Sequence, residues 1–110
     1  MPENPQGQWH RVATASAVGK GAMTGARVGE IEVAVYNVDG KFFATENLCT
    51  HEYALLTDGL LEGCQVVCPY HQGKFDVRDG KVTEAPPCSP LRTFPVRITG
   101  DDIEVQVPAS

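Results

Sequence analysis

The sequence predicts an all-β domain: a small antiparallel sandwich or barrel-like base with a site-bearing insertion over about residues 46–90. Three observations point that way. Several short segments carry apolar residues at every second position, turn signals separate them, and no amphipathic stretch of twelve or more residues suggests a helix. Eleven glycines and eight prolines in 110 residues fit the same loop-rich architecture, and the length suits one domain spanning residues 1–110.

Gln8 to Ala13 and Met23 to Val28 read as the first strands. Ile31, Val33 and Val35 share one face of a strand running to about Val38, where Val38-Asp39-Gly40 signals a hairpin into Lys41 to Thr45. Arg78-Asp79-Gly80 plays the same part before Lys81-Val82-Thr83. Arg92 to Thr99 reads as one further strand, with Pro95 marking an edge or a bulge. Thr99-Gly100-Asp101 then turns the chain into Ile103–Val107, the cleanest alternation in the sequence. Three hairpin turns imply antiparallel pairing. The stretch between holds two Cys/His clusters and the turn Ala85-Pro86-Pro87-Cys88-Ser89-Pro90.

Composition narrows the function. Nine Lys+Arg against fourteen Asp+Glu give a formal charge of −5, which argues against a nucleic-acid surface because a phosphate backbone needs concentrated positive charge. No apolar run exceeds four residues, so no membrane span is expected, and the N-terminal MPENPQGQW lacks the features of an export signal. The expected compartment is the cytoplasm, where four cysteines are metal or redox groups more often than a disulfide framework.

The chemistry concentrates in Cys49-Thr50-His51 and Cys68-Pro69-Tyr70-His71, a C-x-H-x16-C-x2-H pattern. Each pair brings one soft thiolate and one imidazole, ligands that suit iron–sulfur, zinc or copper centres. Zinc competes seriously, but it favours pairs two to four residues apart, and the single-residue gap of Cys49-x-His51 fits it less well. A two-iron centre accepts that gap, since the cysteines can serve one iron and the histidines the other.

Asn47-Leu48-Cys49-Thr50-His51, Thr57-Asp58-Gly59, the run from Cys68 to Asp76, and Pro86-Pro87 with Leu91 to Val96 resemble Rieske-type ferredoxins. The likeness is to the ferredoxin components of bacterial aromatic-ring dioxygenases, of the biphenyl and naphthalene type. It implies one [2Fe–2S] cluster, with Cys49 and Cys68 on one iron and His51 and His71 on the other. It also implies a soluble one-electron carrier between a flavin-dependent NAD(P)H reductase and a terminal Rieske oxygenase, monomeric and docking transiently.

In high-potential members of that family a disulfide joins the two loops, and a serine and a tyrosine bond the cluster. The matching positions here are Ala54 and Tyr70 for the disulfide and Gly73 and Phe75 for the hydroxyls, which implies a potential near the low end of the Rieske range, about −150 mV. Imidazole N–H groups facing outward imply an electron route through the histidines and a potential that varies at alkaline pH.

A terminal oxygenase needs a second iron held by two histidines and a carboxylate, yet only His10 remains once His51 and His71 are assigned. No G-x-G-x-x-G fingerprint for NAD(P)H is present. The small Rieske-like subunit of an assimilatory nitrite reductase and a zinc-stabilised binding module stay as alternatives.

Among the remaining residues, Cys64 and Cys88 read as small packing groups, His10 as a bystander, and Trp9 and Phe94 as core. Pro86 and Pro87 read as a stiff loop over the cluster, and Gly73 as a close approach of backbone to its sulfurs. Glu30, Glu32, Glu52, Lys74, Asp101 and Asp102 read as solvated charge.

Overall fold

A computed structural model describes residues 7–49, 54–69, 73–84 and 89–107. Within them the chain forms strands β1 (Gln8–Thr14), β2 (Met23–Val28), β3 (Ile31–Val38), β4 (Lys41–Glu46), β5 (Leu60–Glu62), β6 (Gln65–Val67), β7 (Lys74–Asp76), β8 (Val82–Glu84), β9 (Thr93–Phe94), β10 (Val96–Thr99) and β11 (Asp102–Val107). Single 3-10 turns occur at Ala15–Ala17 and Leu56–Asp58. Among the described residues no helix is long and apolar enough to cross a membrane.

The strands make three antiparallel sheets, in the orders β1-β11-β10, β2-β3-β4-β9 and β5-β6-β7-β8. The first two form the base and the third belongs to the insertion. The β3–β4 hairpin closes on Asp39 and Gly40, both at positive φ (54° and 93°), as a two-residue turn matching strand twist requires. Buried Asn37 braces it: its Oδ1 accepts the Gly40 N–H at 2.7 Å and its Nδ2 donates to the Val18 carbonyl at 2.8 Å.

Strand β3 organises the molecule because both of its faces are buried. Val33 and Val35 point into one core with Val18, Ala44, Phe94, Ile103, Val105 and Val107, between the two base sheets. Ala34 and Tyr36 point the other way, into a second core shared with the insertion. The period of two thus assigns alternate residues of one strand to two cores. Ile103 is fully buried in the first. Ile103→Ala is expected to cost about 3 kcal/mol, read as a melting temperature lower by about 10–20 °C.

One expectation needs correction, and one feature is additional to the sequence reading. Arg92 to Thr99 is not one strand: it breaks at Pro95, with β9 pairing to β4 through Ala44↔Phe94 and β10 pairing to β11 through Val96↔Val105. Proline brings no N–H to a ladder, and here its carbonyl accepts the Gln106 N–H at 3.0 Å. The chain changes sheets at that residue and so makes a corner of the sandwich. The insertion, for its part, holds a sheet of its own. Of its four strands only the last, near Lys81-Val82-Thr83, is expected from sequence, because three-residue strands are too short to show alternation.

Several side chains are also more engaged than expected. Trp9 is half-buried, not core, and the Arg97 guanidinium stacks 4.3 Å from its ring centroid. Phe94 is core, 6% exposed. Asp101 accepts both the N–H and the hydroxyl of Ser16, Asp102 pairs with Arg11 at 3.0 Å, and Lys74 reaches Glu62 at 3.5 Å. Glu32 lies 3.9 Å from Arg27, whereas Glu30 is exposed. His10 is half-buried on β1.

Candidate metal centre

Two loops of the insertion carry the cysteines, and both are closed in the same way. Leaving β4, the chain passes Asn47 and Leu48 to Cys49, whose N–H donates to the Ala54 carbonyl at 2.9 Å. A bridge between Leu48 and Leu55 seals the root of this loop. In the second, the β6–β7 ladder ends at Val67↔Lys74, and the Cys68 N–H donates to the Gly73 carbonyl at 2.8 Å. Each cysteine is therefore the first residue of a loop closed by its own N–H onto the fifth residue beyond it. His51 and His71 are the third and fourth residues of these loops and lie outside the described residues, as do Glu52, Tyr70, Pro86, Pro87 and Cys88.

Both cysteines are buried, at 6% and 0% exposure, in one apolar cluster with Ala34, Tyr36, Ala54, Leu56, Val66, Phe75, Val77 and Leu91. Leu91 ties the far end of the insertion down: its N–H donates to the Gly80 carbonyl at 2.8 Å, and the Glu46 N–H donates to the Arg92 carbonyl. Cys64 is half-buried in the β5–β6 turn, outside the apolar cluster, and its backbone carbonyl accepts the Val77 N–H at 2.9 Å. An open groove of about 440 Å³ runs beside Cys68 and Pro69, with Leu60, Asp58, Glu62, Lys74 and Glu84 on its walls.

Tyr36 supports this core from β3. It is fully buried, with its hydroxyl 2.9 Å from Thr45 Oγ1, which itself donates to the Glu46 carbonyl. Burial pushes its phenol well above the ordinary value near 10, and the bond to Thr45 offsets only part of that. The unfolded chain releases this proton near pH 10 while the folded chain keeps it, so stability is intact below that pH and falls as pH rises beyond it. Tyr36→Phe is expected to lose about 1 kcal/mol at neutral pH and to flatten the alkaline decline, as read by urea titrations at a series of pH values.

Asn47, Thr57 and Gly59 are supports to which sequence reading gave no role, although all three lie in motifs that carried the family resemblance. Asn47 is 2% exposed, its Oδ1 accepts the Thr57 N–H at 3.0 Å, and its Nδ2 donates to Thr57 Oγ1 at 3.0 Å. A polar residue two positions before a candidate ligand was the available signal.

The arrangement defines a β domain whose insertion gathers two soft sulfur donors in a buried apolar cluster at the roots of two loops. Such a donor set fits an iron–sulfur group. The Rieske [2Fe-2S] domain model matches residues 8–95, and the chain belongs to that family, whose cofactor is one Rieske-type [2Fe–2S] cluster. The chain is 53% identical over 75 residues to the biphenyl dioxygenase ferredoxin subunit of Pseudomonas sp. (strain KKS102), covering 67% of this chain and 69% of that one. It is 38% identical over 100 residues to the ferredoxin component of the naphthalene 1,2-dioxygenase system of Pseudomonas aeruginosa, covering 91% and 96%. Among solved structures, a complex of reduced oxygenase and oxidized ferredoxin in carbazole 1,9a-dioxygenase aligns with a TM-score of 0.87 at 35% identity, over 97% of this chain and 98% of the matched chain.

Proposed function

We propose that the chain is the electron-carrying ferredoxin component of a multicomponent aromatic-ring dioxygenase, taking electrons from a flavin-dependent NAD(P)H reductase and delivering them to a terminal Rieske oxygenase. Cys49 and Cys68 hold one iron of its cluster, and His51 and His71 the other. When bound, the cluster supplies a reversible one-electron couple. The chain performs no bond-making chemistry of its own. It acts as a single domain in which a cluster-binding subdomain, about residues 46–90, is carried on the β base.

One observation carries the reading: Cys49 and Cys68 meet in a single buried apolar cluster, each at the root of a loop that also carries a histidine. The surrounding residues tune the site. Phe75 is fully buried in that cluster, and neither it nor Gly73 offers a hydroxyl to stabilise the reduced state, so the expected midpoint potential is about −150 mV. The formal charge of −5 favours brief, salt-sensitive docking to positive patches on both partners.

Iron and acid-labile sulfide analysis with an EPR spectrum of the dithionite-reduced protein tests the cofactor and its ligands. Two irons and two sulfides per chain with a rhombic two-iron signal are expected. Zinc without sulfide would falsify the reading. Stopped-flow reduction by a flavin reductase with NADH, followed by mixing with a terminal oxygenase, tests the shuttle. Reduction that slows as salt rises is expected, and a chain that neither accepts nor passes electrons in this system overturns the carrier role.

A further inference from the structure

We infer that Asn47 and Thr57 are positioning residues, a spacer that fixes the separation of the two cysteine loops before any cofactor arrives. The inference rests on the reading of Cys49 and Cys68 as ligands of one group. Asn47 stands two residues before Cys49 and is held in place by four hydrogen bonds, two from its backbone and two from its side-chain amide. Its N–H donates to the Glu32 carbonyl on β3 at 2.8 Å, and its carbonyl accepts the Leu56 N–H at 3.2 Å. Both ends of its side-chain amide grip Thr57, each at 3.0 Å. From the opposite side Gly25 on β2 comes so close that a Cβ there would lie 2.8 Å from Asn47 Nδ2 and 3.4 Å from Thr57 Oγ1.

Thr57 leads directly to the second loop. It lies in the Leu56–Asp58 turn, which ends at Gly59, and Gly59 packs against the carbonyl of Val67, the residue before Cys68. A short mechanical path therefore runs from Cys49 through Asn47, Thr57, Gly59 and Val67 to Cys68, crossing between segments once by paired hydrogen bonds and once by backbone contact. The apolar cluster between the cysteines is adaptable by comparison, because dispersion contacts set no fixed direction. Removing the Thr57 hydroxyl takes away one of the two directional bonds and leaves the Asn47 amide with an unpaired donor in a buried site.

The test uses the full-length protein and three variants, Thr57→Val, Thr57→Ala and Thr57→Ser. Cluster loss to a chelator and EPR g-values of the reduced protein are the readouts. Thr57→Val and Thr57→Ala are expected to lose the cluster about ten- to a hundredfold faster than wild type with shifted g-values, as outer partners of metal ligands do. Thr57→Ser, which keeps the hydroxyl, is expected to match wild type. Wild-type loss rates and g-values in the hydroxyl-free variants, or a Thr57→Ser variant as impaired as Thr57→Val, overturn the inference. Amide exchange in the cluster-free chain reads the same coupling without cofactor: faster exchange at Cys68 with β11 unchanged supports it, and unchanged exchange at Cys68 overturns it. If wild type takes up no iron and sulfide, the ligand reading fails, and the exchange measurement still decides the spacer.

Discussion

Cys68→Ala is expected to yield a folded chain with no two-iron signal, neither the visible absorption of the oxidised form nor the EPR spectrum of the reduced one. The thiol is fully buried beside Phe75 and Val66, so its loss leaves a cavity smaller than a methylene pair and costs about 1 kcal/mol in packing. A Rieske cluster missing one of its two thiolates loses one of the two protein ligands on that iron, and no other described cysteine shares the buried cluster with Cys49. The comparison with Cys64→Ala is informative, because Cys64 lies in the β5–β6 turn outside that cluster and its replacement is expected to leave the spectrum intact. A Cys68→Ala protein with wild-type g-values, or loss of the signal in Cys64→Ala alone, removes Cys68 from the ligand set.

Gly59→Ala is expected to destabilise the insertion strongly while leaving the base sheets paired. The objection to alanine is spatial: a Cβ would overlap the Val67 carbonyl oxygen and stand 3.2 Å from that of Leu56. Neither is the end of a flexible side chain, so backbone must move, at a cost of about 3 kcal/mol. The displaced residue adjoins Cys68. Expected results are a lower melting temperature and poor cluster retention, with amide exchange accelerated in β5 and β6 and unchanged in β1 and β11. A variant that melts with wild type shows that the approach relaxes without strain.

Much of this was legible in the residues. Alternation disclosed β3 and β11, the pair Asp39-Gly40 disclosed a tight hairpin, and the spacing of Cys49-x-His51 and Cys68-x-x-His71 pointed to a candidate donor set, of which Cys49 and Cys68 fall among the described residues and share one buried cluster. What escaped has physical causes. Pro95 signals a disturbance of a strand, but whether the chain bulges or crosses to another sheet depends on partners far away in sequence, Ala44 and Val105. Strands of three residues give no period to read. Trp9 carries the composition of a core residue, and only the register Trp9↔Gln106 beside Arg97↔Glu104 reveals that it faces a guanidinium. The role of Asn47 depends on Thr57, ten residues on, and no local pattern announces such a pair.

The pairing of β1 with β11 sets an order of events during synthesis. Gln8↔Val107 and Thr14↔Asp102 join the first and last strands, so β1 waits for the final stretch before it has a hydrogen-bonded partner. Ile103, Val105 and Val107 complete the core beneath β3, while Cys49 and Cys68 precede Ile103 by 54 and 35 residues. A growing chain therefore carries both cysteines on a base that is still open. Shortening the chain by the single strand β11 deprives β1 and β10 of their shared partner together.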